Sequence, residues 1–335
     1  MSQQKSTPSR VLVIKLSSLG DLFHAIPAVH NIKVATGATI DWVVQKEYVE
    51  IVECFEDVSR VIGFPRRSFF KEGGAFRKEL RQERYDYVVD LQGLMKSALV
   101  AGMARSRRRI GPSYHREGSR LFYTEVAGAL NKHRHAVDEA LDVIRHLDLE
   151  VLTPSFPIAF PLKKYDYPRP FIAVMPESRW KTKNWSVEYF VEALKSLKGK
   201  VRGTYFLAGA PDDREACETI SKELDGHGIV LAGETSLVEL GSLLDRMDLV
   251  ISNDSGPMHM AAAVGTPALA LFGPTDPRRT GPYGPQCRTL KMQFPCQPCF
   301  SRTCEMEDQR CMRDLPPTMV VDTALEMLDD KYTGG

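Results

Sequence analysis

Along the first half of the chain, short β-branched apolar runs alternate with longer stretches whose apolar positions recur every three or four residues. "RVLVIKL" reads as a buried strand and "DLFHAIPAVHNIKVA" as a helix, followed by "TIDWVV", "KEYVEIVECF", "SRVIGF", "GAFRKELRQE" and "YDYVVDLQG" in the same alternation. "RHAVDEALDVIRHL" reads as one amphipathic helix with Ala136, Ala140, Val143 and Leu147 on a single face. The pattern restarts with "PFIAVMP", "VEYFVEALKSL", "GTYFLAG" and "DDREACETISKEL", then runs through "GIVLAG", "LVELGSLLDRM", "DLVISND", "PMHMAAAVG" and "PALALFGP". Strands alternating with helices predict parallel sheets covered by helices, an α/β fold class with two Rossmann-like domains. The proline-rich, charged, aperiodic stretch "PLKKYDYPRP" (residues 161–170) is the expected linker. It divides the chain into an N-terminal domain over 1–165 and a C-terminal domain over 166–317. A last helix over 318–335 is expected to pack back on the N-terminal domain. Open parallel sheets bind ligands beyond the carboxyl ends of their strands, so two such domains are expected to face a central cleft.

Of the 335 residues 43% are hydrophobic and 26% charged, a globular composition rather than a disordered one. The net charge of +1 argues against a nucleic-acid partner, but it conceals an asymmetry. Residues 1–165 hold 25 Lys and Arg against 19 Asp and Glu, and the remainder holds 19 against 24. A basic first half suits an acidic substrate or surface. No apolar run reaches the 18 or so residues of a membrane span, and "MSQQKSTPSR" lacks the apolar core of a signal peptide. A cytoplasmic location is therefore expected. Seven cysteines, most of them near the end, do not resemble the even spread of a secreted disulfide scaffold.

Two stretches carry candidate chemistry. In "LSSLGDLFHAIPA" (16–28) a strand ends in small residues and sets Asp21 at the mouth of an apolar helix, where it is either a helix cap or a general base. In "DLVISNDSGPMHMAAAVGTPALALFGPTDP" (248–277) one strand runs into a helix start at Asp254, Ser255, Gly256, Pro257 and Met258, with His259 one turn in. The next strand ends in a second polar turn. Unpaired N–H groups and the helix dipole make such a start a natural phosphate site. The three-glycine dinucleotide fingerprint and the Walker glycine–lysine motif are both missing, which weighs against a nicotinamide dehydrogenase and an ATPase.

Taken in order, "GDLFHAIPA", "DLQGLMKSAL", "KTKNWSVEYF" and "SNDSGPMHMAAAVGTPALALFGPTDP" resemble the signatures of glycosyltransferase family 9, the heptosyltransferases of lipopolysaccharide core synthesis. The resemblance spans residues 11–277. It implies a two-domain GT-B fold and inverting transfer of a heptose from ADP-heptose to a lipid-linked oligosaccharide acceptor, with no metal or other cofactor required for catalysis. It also implies roles for residues. Asp21 is the base and Lys183, two residues before Trp185, the cation on the leaving diphosphate. Ser178, Asp212, Asp254, Ser255, Gly256, Pro257, Met258 and His259 contact the donor. The "MPESRW" loop departs from the family pattern, and Glu177 in it would repel phosphate if it pointed inward.

Acceptor contacts are expected in the basic half, from Ser18, Gly20, His24, Arg66, Arg67, Gln92, Lys96 and Arg116. Arginine forks pair well with carboxylates and phosphates. The run Arg107 to Arg109 reads more readily as a solvated face than Arg66 and Arg67 do. The same basic side is expected to dock on the anionic inner leaflet of the membrane. "CQPCFSRTCEMEDQRC" places Cys296, Cys299, Cys304 and Cys311 at spacings compatible with a structural zinc or iron, or with reduced thiols. Rival readings are a relative using another sugar nucleotide or a protein acceptor, a sugar-nucleotide epimerase, and a non-catalytic binding relative.

Overall fold

The computed structural model describes residues 8–131, 133–306 and 308–333. The chain forms two compact units, Met1–Ala159 and Phe160–Gly335. In the first, β1 (Arg10–Ile14), β2 (Thr39–Gln45), β3 (Arg60–Phe64), β4 (Tyr87–Asp90), β5 (Arg108–Pro112) and β6 (Glu125–Ala127) pair in the order β3-β2-β1-β4-β5-β6. In the second, β7 (Phe171–Met175), β8 (Thr204–Leu207), β9 (Gly228–Val230), β10 (Leu249–Asn253), β11 (Ala268–Phe272) and β12 (Arg288–Lys291) pair in the order β12-β11-β10-β7-β8-β9. The pairings between neighbouring strands are parallel in both sheets. Counted from its own first strand, each sheet has the doubly wound order 3-2-1-4-5-6. Strand order therefore reverses between β1 and β4 in one unit and between β7 and β10 in the other. These switch points are where such sheets open a crevice for a ligand.

The central strands read as unbroken apolar runs because helices cover both of their faces. Val11 to Ile14 and Phe171 to Met175 are buried throughout. One cluster in the first unit gathers Leu12, Ile14, Val43, Phe76, Leu80 and Tyr85, and one in the second gathers Val174, Trp185, Phe190, Leu194, Tyr205 and Ile251.

Three expectations change. The unit boundary falls before the predicted linker, because Ala159 and Glu56 hydrogen-bond across to Cys54 and Pro157 in the first unit. Tyr165, by contrast, stacks edge-on against Phe171 and Phe206 of the second. The closing helix Pro317–Thr333, expected to join the first unit, buries Val320, Val321, Ala324, Met327 and Leu328 in the core of the second, against the helix Val187–Lys200. Its apolar stripe matches the face presented by Phe190, Leu194 and Leu197. The helix expected over "RHAVDEALDVIRHL" breaks into Ala136–Ala140 and Asp142–His146. There the buried Asp142 is drawn to Arg134 and Arg145 at 2.8 and 2.9 Å.

Candidate active site

At the first switch point a turn after β4 braces the turn after β1. Asp90 Oδ1 accepts from the N–H groups of Gln92 (2.8 Å) and Gly93 (3.1 Å), and Oδ2 accepts from Tyr123 Oη (2.7 Å). Burial raises the pKa of Asp90, against the pull of these bonds. Gly93 has φ of +72°, and a Cβ there would lie 2.8 Å from Pro112. Gln92 Oε1 then accepts from the N–H groups of Leu16 and Ser17, each at 3.1 Å. The Asp-x-Gln-Gly pattern is thus a bracket. Gln92, expected to contact an acceptor, spends its carbonyl oxygen on holding the 16–18 turn. Beneath it the buried Lys15 ammonium and the Tyr114 hydroxyl both donate to Leu91 O, at 2.7 and 2.9 Å.

Asp21 is not the N-cap. Ser18 caps the helix Leu19–Thr36 and Asp21 is its third residue, where its Oδ2 accepts from both the N–H (2.9 Å) and the Oγ–H (2.8 Å) of Ser18. This is the reciprocal arm of a capping box. Oδ1 lies 3.9 Å from His24 Nδ1, and the Asp21 side chain is 40% exposed where that of His24 is 6%. A solvent-borne hydroxyl can therefore reach the carboxylate. His24 is buried, with its ring edge-on to His135 at 5.3 Å. Gly20 is buried beside it and Ser18 half-buried.

Cations gather near the same turn. Lys96, on the helix Met95–Met103, has its pKa lowered by partial burial and by the charge of Arg66. Arg66, Arg67 and Arg116 are exposed, and Arg116 N–H donates to Gly93 O at 2.8 Å. The basic run further on is structural. Arg108 forks onto Glu125 with two 2.8 Å bonds, and Arg109 donates to Phe122 O.

The second switch point is braced by another amide. Asn253, fully buried at the end of β10, donates through Nδ2 to Pro176 O (2.5 Å) and accepts from Trp185 N–H (3.1 Å), which ties the loop after β7 to β10. Asp254 follows, 5% exposed; Oδ2 accepts from Lys183 Nζ at 2.7 Å and from Thr275 Oγ1 at 2.6 Å. Lys183 Nζ also sits 4.6 Å from the centroid of the Trp180 ring. Ser255 caps the helix Gly256–Ala263, which has Pro257 in its first turn. The side chains of Met258 and His259 are buried, at 0% and 8% exposure. Met258 packs on Ala270 and Phe272, so only its backbone can serve a ligand.

Other donor-side expectations shift. Ser178 gives both its N–H and its hydroxyl to Asn184 Oδ1, at 2.9 and 2.8 Å. Glu177 is turned to the Asn184 amide, and burial, with the nearby charge of Asp213, raises its pKa. Asp212 is exposed, while its neighbour Asp213 accepts from Ala210 N–H at 2.7 Å and is the one packed at the end of β8.

None of the four clustered thiols is in a disulfide; Cys296 and Cys299 are exposed, Cys304 and Cys311 half-buried. Burial and the neighbouring thiols push Cys311 up to about 11. Among the described residues no three His, Cys, Asp or Glu are arranged to hold a metal ion.

The deciding match is a family model, that of glycosyltransferase family 9 (heptosyltransferase), which covers residues 74–309. The chain belongs to this family. Relatives include lipopolysaccharide heptosyltransferase 1 of Pseudomonas aeruginosa, 29% identical with 91% of each chain covered. The Escherichia coli K12 protein of the same name is 29% identical over 82% of this chain and 91% of its own. Among solved structures, E. coli heptosyltransferase WaaC with ADP superposes with a TM-score of 0.81 at 25% identity, over 95% of this chain and 99% of that one. The family 9 glycosyltransferase of Veillonella parvula shares the fold at a TM-score of 0.84 and 20% identity, over 96% and 97%. Family 9 membership accounts for the two doubly wound units.

Lys15, Trp180 and Thr275 escaped the sequence reading, and Asn253 was read only as a strand end, not as a brace. Asn253 was legible as the polar end of a buried strand. Lys15 was not, since a lysine at a strand end is ordinarily solvated.

Proposed function

We propose that this glycosyltransferase moves a heptose from ADP-heptose onto a lipopolysaccharide inner-core acceptor, with inversion and without a catalytic metal. The observation that carries the reading is the Lys183–Asp254 pair at the start of the helix Gly256–Ala263, on the second switch point. An ammonium beside unpaired helix N–H groups suits a diphosphate, and its stabilising effect grows as leaving-group charge develops. The relatives' names supply the sugar and the acceptor class. Asp21 takes the proton of the acceptor hydroxyl as that oxygen attacks the anomeric carbon; the C–O bond to the diphosphate breaks and ADP leaves. Arg66, Lys96 and Arg116 meet the acids of the acceptor. The same cations draw the chain to anionic lipid; among the described residues no helix is long and apolar enough to cross a membrane.

The test is a panel of sugar nucleotides with a Kdo-containing acceptor, with chelator present. ADP-heptose consumption with formation of an inverted linkage is expected. Turnover of a UDP-sugar without acceptor, or loss of activity with chelator, would replace the reading.

A further inference from the structure

Between β12 and the short helix Arg310–Arg313 the described residues form no helix or strand, yet they are fastened to both loops of the donor side. Thr182 Oγ1 donates to Ser301 O (2.9 Å) and Gln309 Nε2 to Lys181 O (2.8 Å), on the loop after β7. Phe300 N–H donates to Pro274 O (2.9 Å) and Gln297 Nε2 to Gly273 O (2.5 Å), on the loop after β11. The strap therefore joins the loop of Lys183 to the loop of Thr275, and both side chains meet at Asp254.

Next to Ser301 stands Arg302. Its guanidinium carbon lies 4.8 Å from the centroid of Trp180, the ring that also holds Lys183 Nζ at 4.6 Å. Two cations on one half-buried indole repel each other. The ring quadrupole offsets part of that cost, and an anion between them removes the rest. Lys183 already has a carboxylate partner in Asp254, whereas Arg302 forms no ion pair among the described residues. A nucleoside diphosphate ester brings two negative charges. A stacked guanidinium keeps its N–H edges available, and its fork matches phosphate oxygens.

We infer that Arg302, seated on Trp180 by the strap, is a second diphosphate-binding residue that works beside Lys183. This rests on the donor reading above and adds a residue that lies outside the helix start and the Lys183 motif. Trp180 is the platform and so a positioning residue. It is also the reporter, because Trp42 and Trp185 are fully buried at 0% and 1% exposure.

The experiment is titration of the full chain with ADP, AMP and adenosine, followed by calorimetry and tryptophan emission, in wild type, R302A, R302K and K183A. Arg302 is exposed, so R302A should fold normally, which its melting temperature checks. R302A is expected to weaken ADP binding about 10- to 100-fold, the loss typical of a charged hydrogen-bonding partner. It should weaken AMP less and leave adenosine unchanged, with R302K in between. In wild type ADP should change Trp180 emission, and W180A combined with R302A should cost less than the two singles together. Wild-type ADP affinity in R302A, alongside a weakened K183A, overturns this inference and leaves the donor reading standing. A wild-type chain that binds no ADP overturns the donor reading and this inference with it.

Discussion

The two switch points share a plan and differ in charge. Each is cross-braced by one side-chain amide: Gln92 reaches from the turn after β4 to the N–H groups of Leu16 and Ser17, and Asn253 reaches from β10 to Pro176 O and Trp185 N–H. At the first, the carboxylate of Asp21 stays 40% exposed, held by its capping donors with a buried histidine 3.9 Å away. At the second, the carboxylate of Asp254 is buried and neutralises a lysine at 2.7 Å. The same topology thus presents an exposed carboxylate in one unit and a lysine paired with a buried carboxylate in the other. The difference lies in which sign of charge is left accessible at the end of the strands. An aspartate in a reciprocal cap keeps a second oxygen outside the cap, and a lysine on a buried aspartate is held in one place.

Asp21→Asn should break the first half of this contrast with the largest effect. The amide keeps an acceptor for Ser18, so folding and donor binding should hold while turnover falls roughly 10²- to 10⁴-fold, the range of a lost general base. Near-normal turnover in that folded variant would leave Asp21 as a helix-terminus residue only. Lys183→Ala comes next. It should lower kcat about 10²- to 10³-fold, by analogy with a lost transition-state donor, and should weaken ADP affinity too. A raised donor KM with unchanged kcat would assign Lys183 to ground-state binding.

The braces are a finer comparison. Asn253→Ala should cost about 1–3 kcal/mol, because it strands the buried Pro176 carbonyl and Trp185 N–H. Gln92→Ala, in a half-buried turn that water can enter, should cost less. Melting curves of the two variants decide, and an equal loss would mean that the first turn is as dry as the second. The smallest effect concerns the strap. With its pKa raised to about 11 by burial and neighbouring thiols, Cys311 stays protonated at pH 8 and gains thiolate only as pH climbs toward that value. Exposed Cys296 and Cys299 should therefore alkylate first at pH 8, a sequence that mass spectrometry of timed iodoacetamide labelling reads directly.

Periodicity sufficed for the two α/β units, since a strand buried on both faces and an amphipathic helix each leave a one-dimensional mark. The helix start at Ser255 to Pro257 was equally legible, because capping and first-turn proline are local chemistry. Asp21 was found but misplaced by three helical positions. Which residue caps a helix depends on backbone dihedrals, and Ser18 with φ of −85° takes that place.

The order of residues by itself determined the central strands, the parallel α/β class, the basic first half and the family signatures, all properties of neighbours along the chain, but not the strands Arg108–Pro112, Glu125–Ala127 and Arg288–Lys291, which carry no long apolar run. Tertiary structure decided what depends on distant partners. It made the Gln92 carbonyl oxygen a brace, 75 residues from the serine it holds. It paired Lys183 with an aspartate 71 positions away and absorbed the last helix into the second unit. It also laid a thiol-rich strap beside Trp180, so that Arg302 shares a ring with Lys183. No pattern along the chain encodes those meetings, because hydrogen bonds and ion pairs act over a few ångströms of space, and only the folded chain determines which side chains come that close.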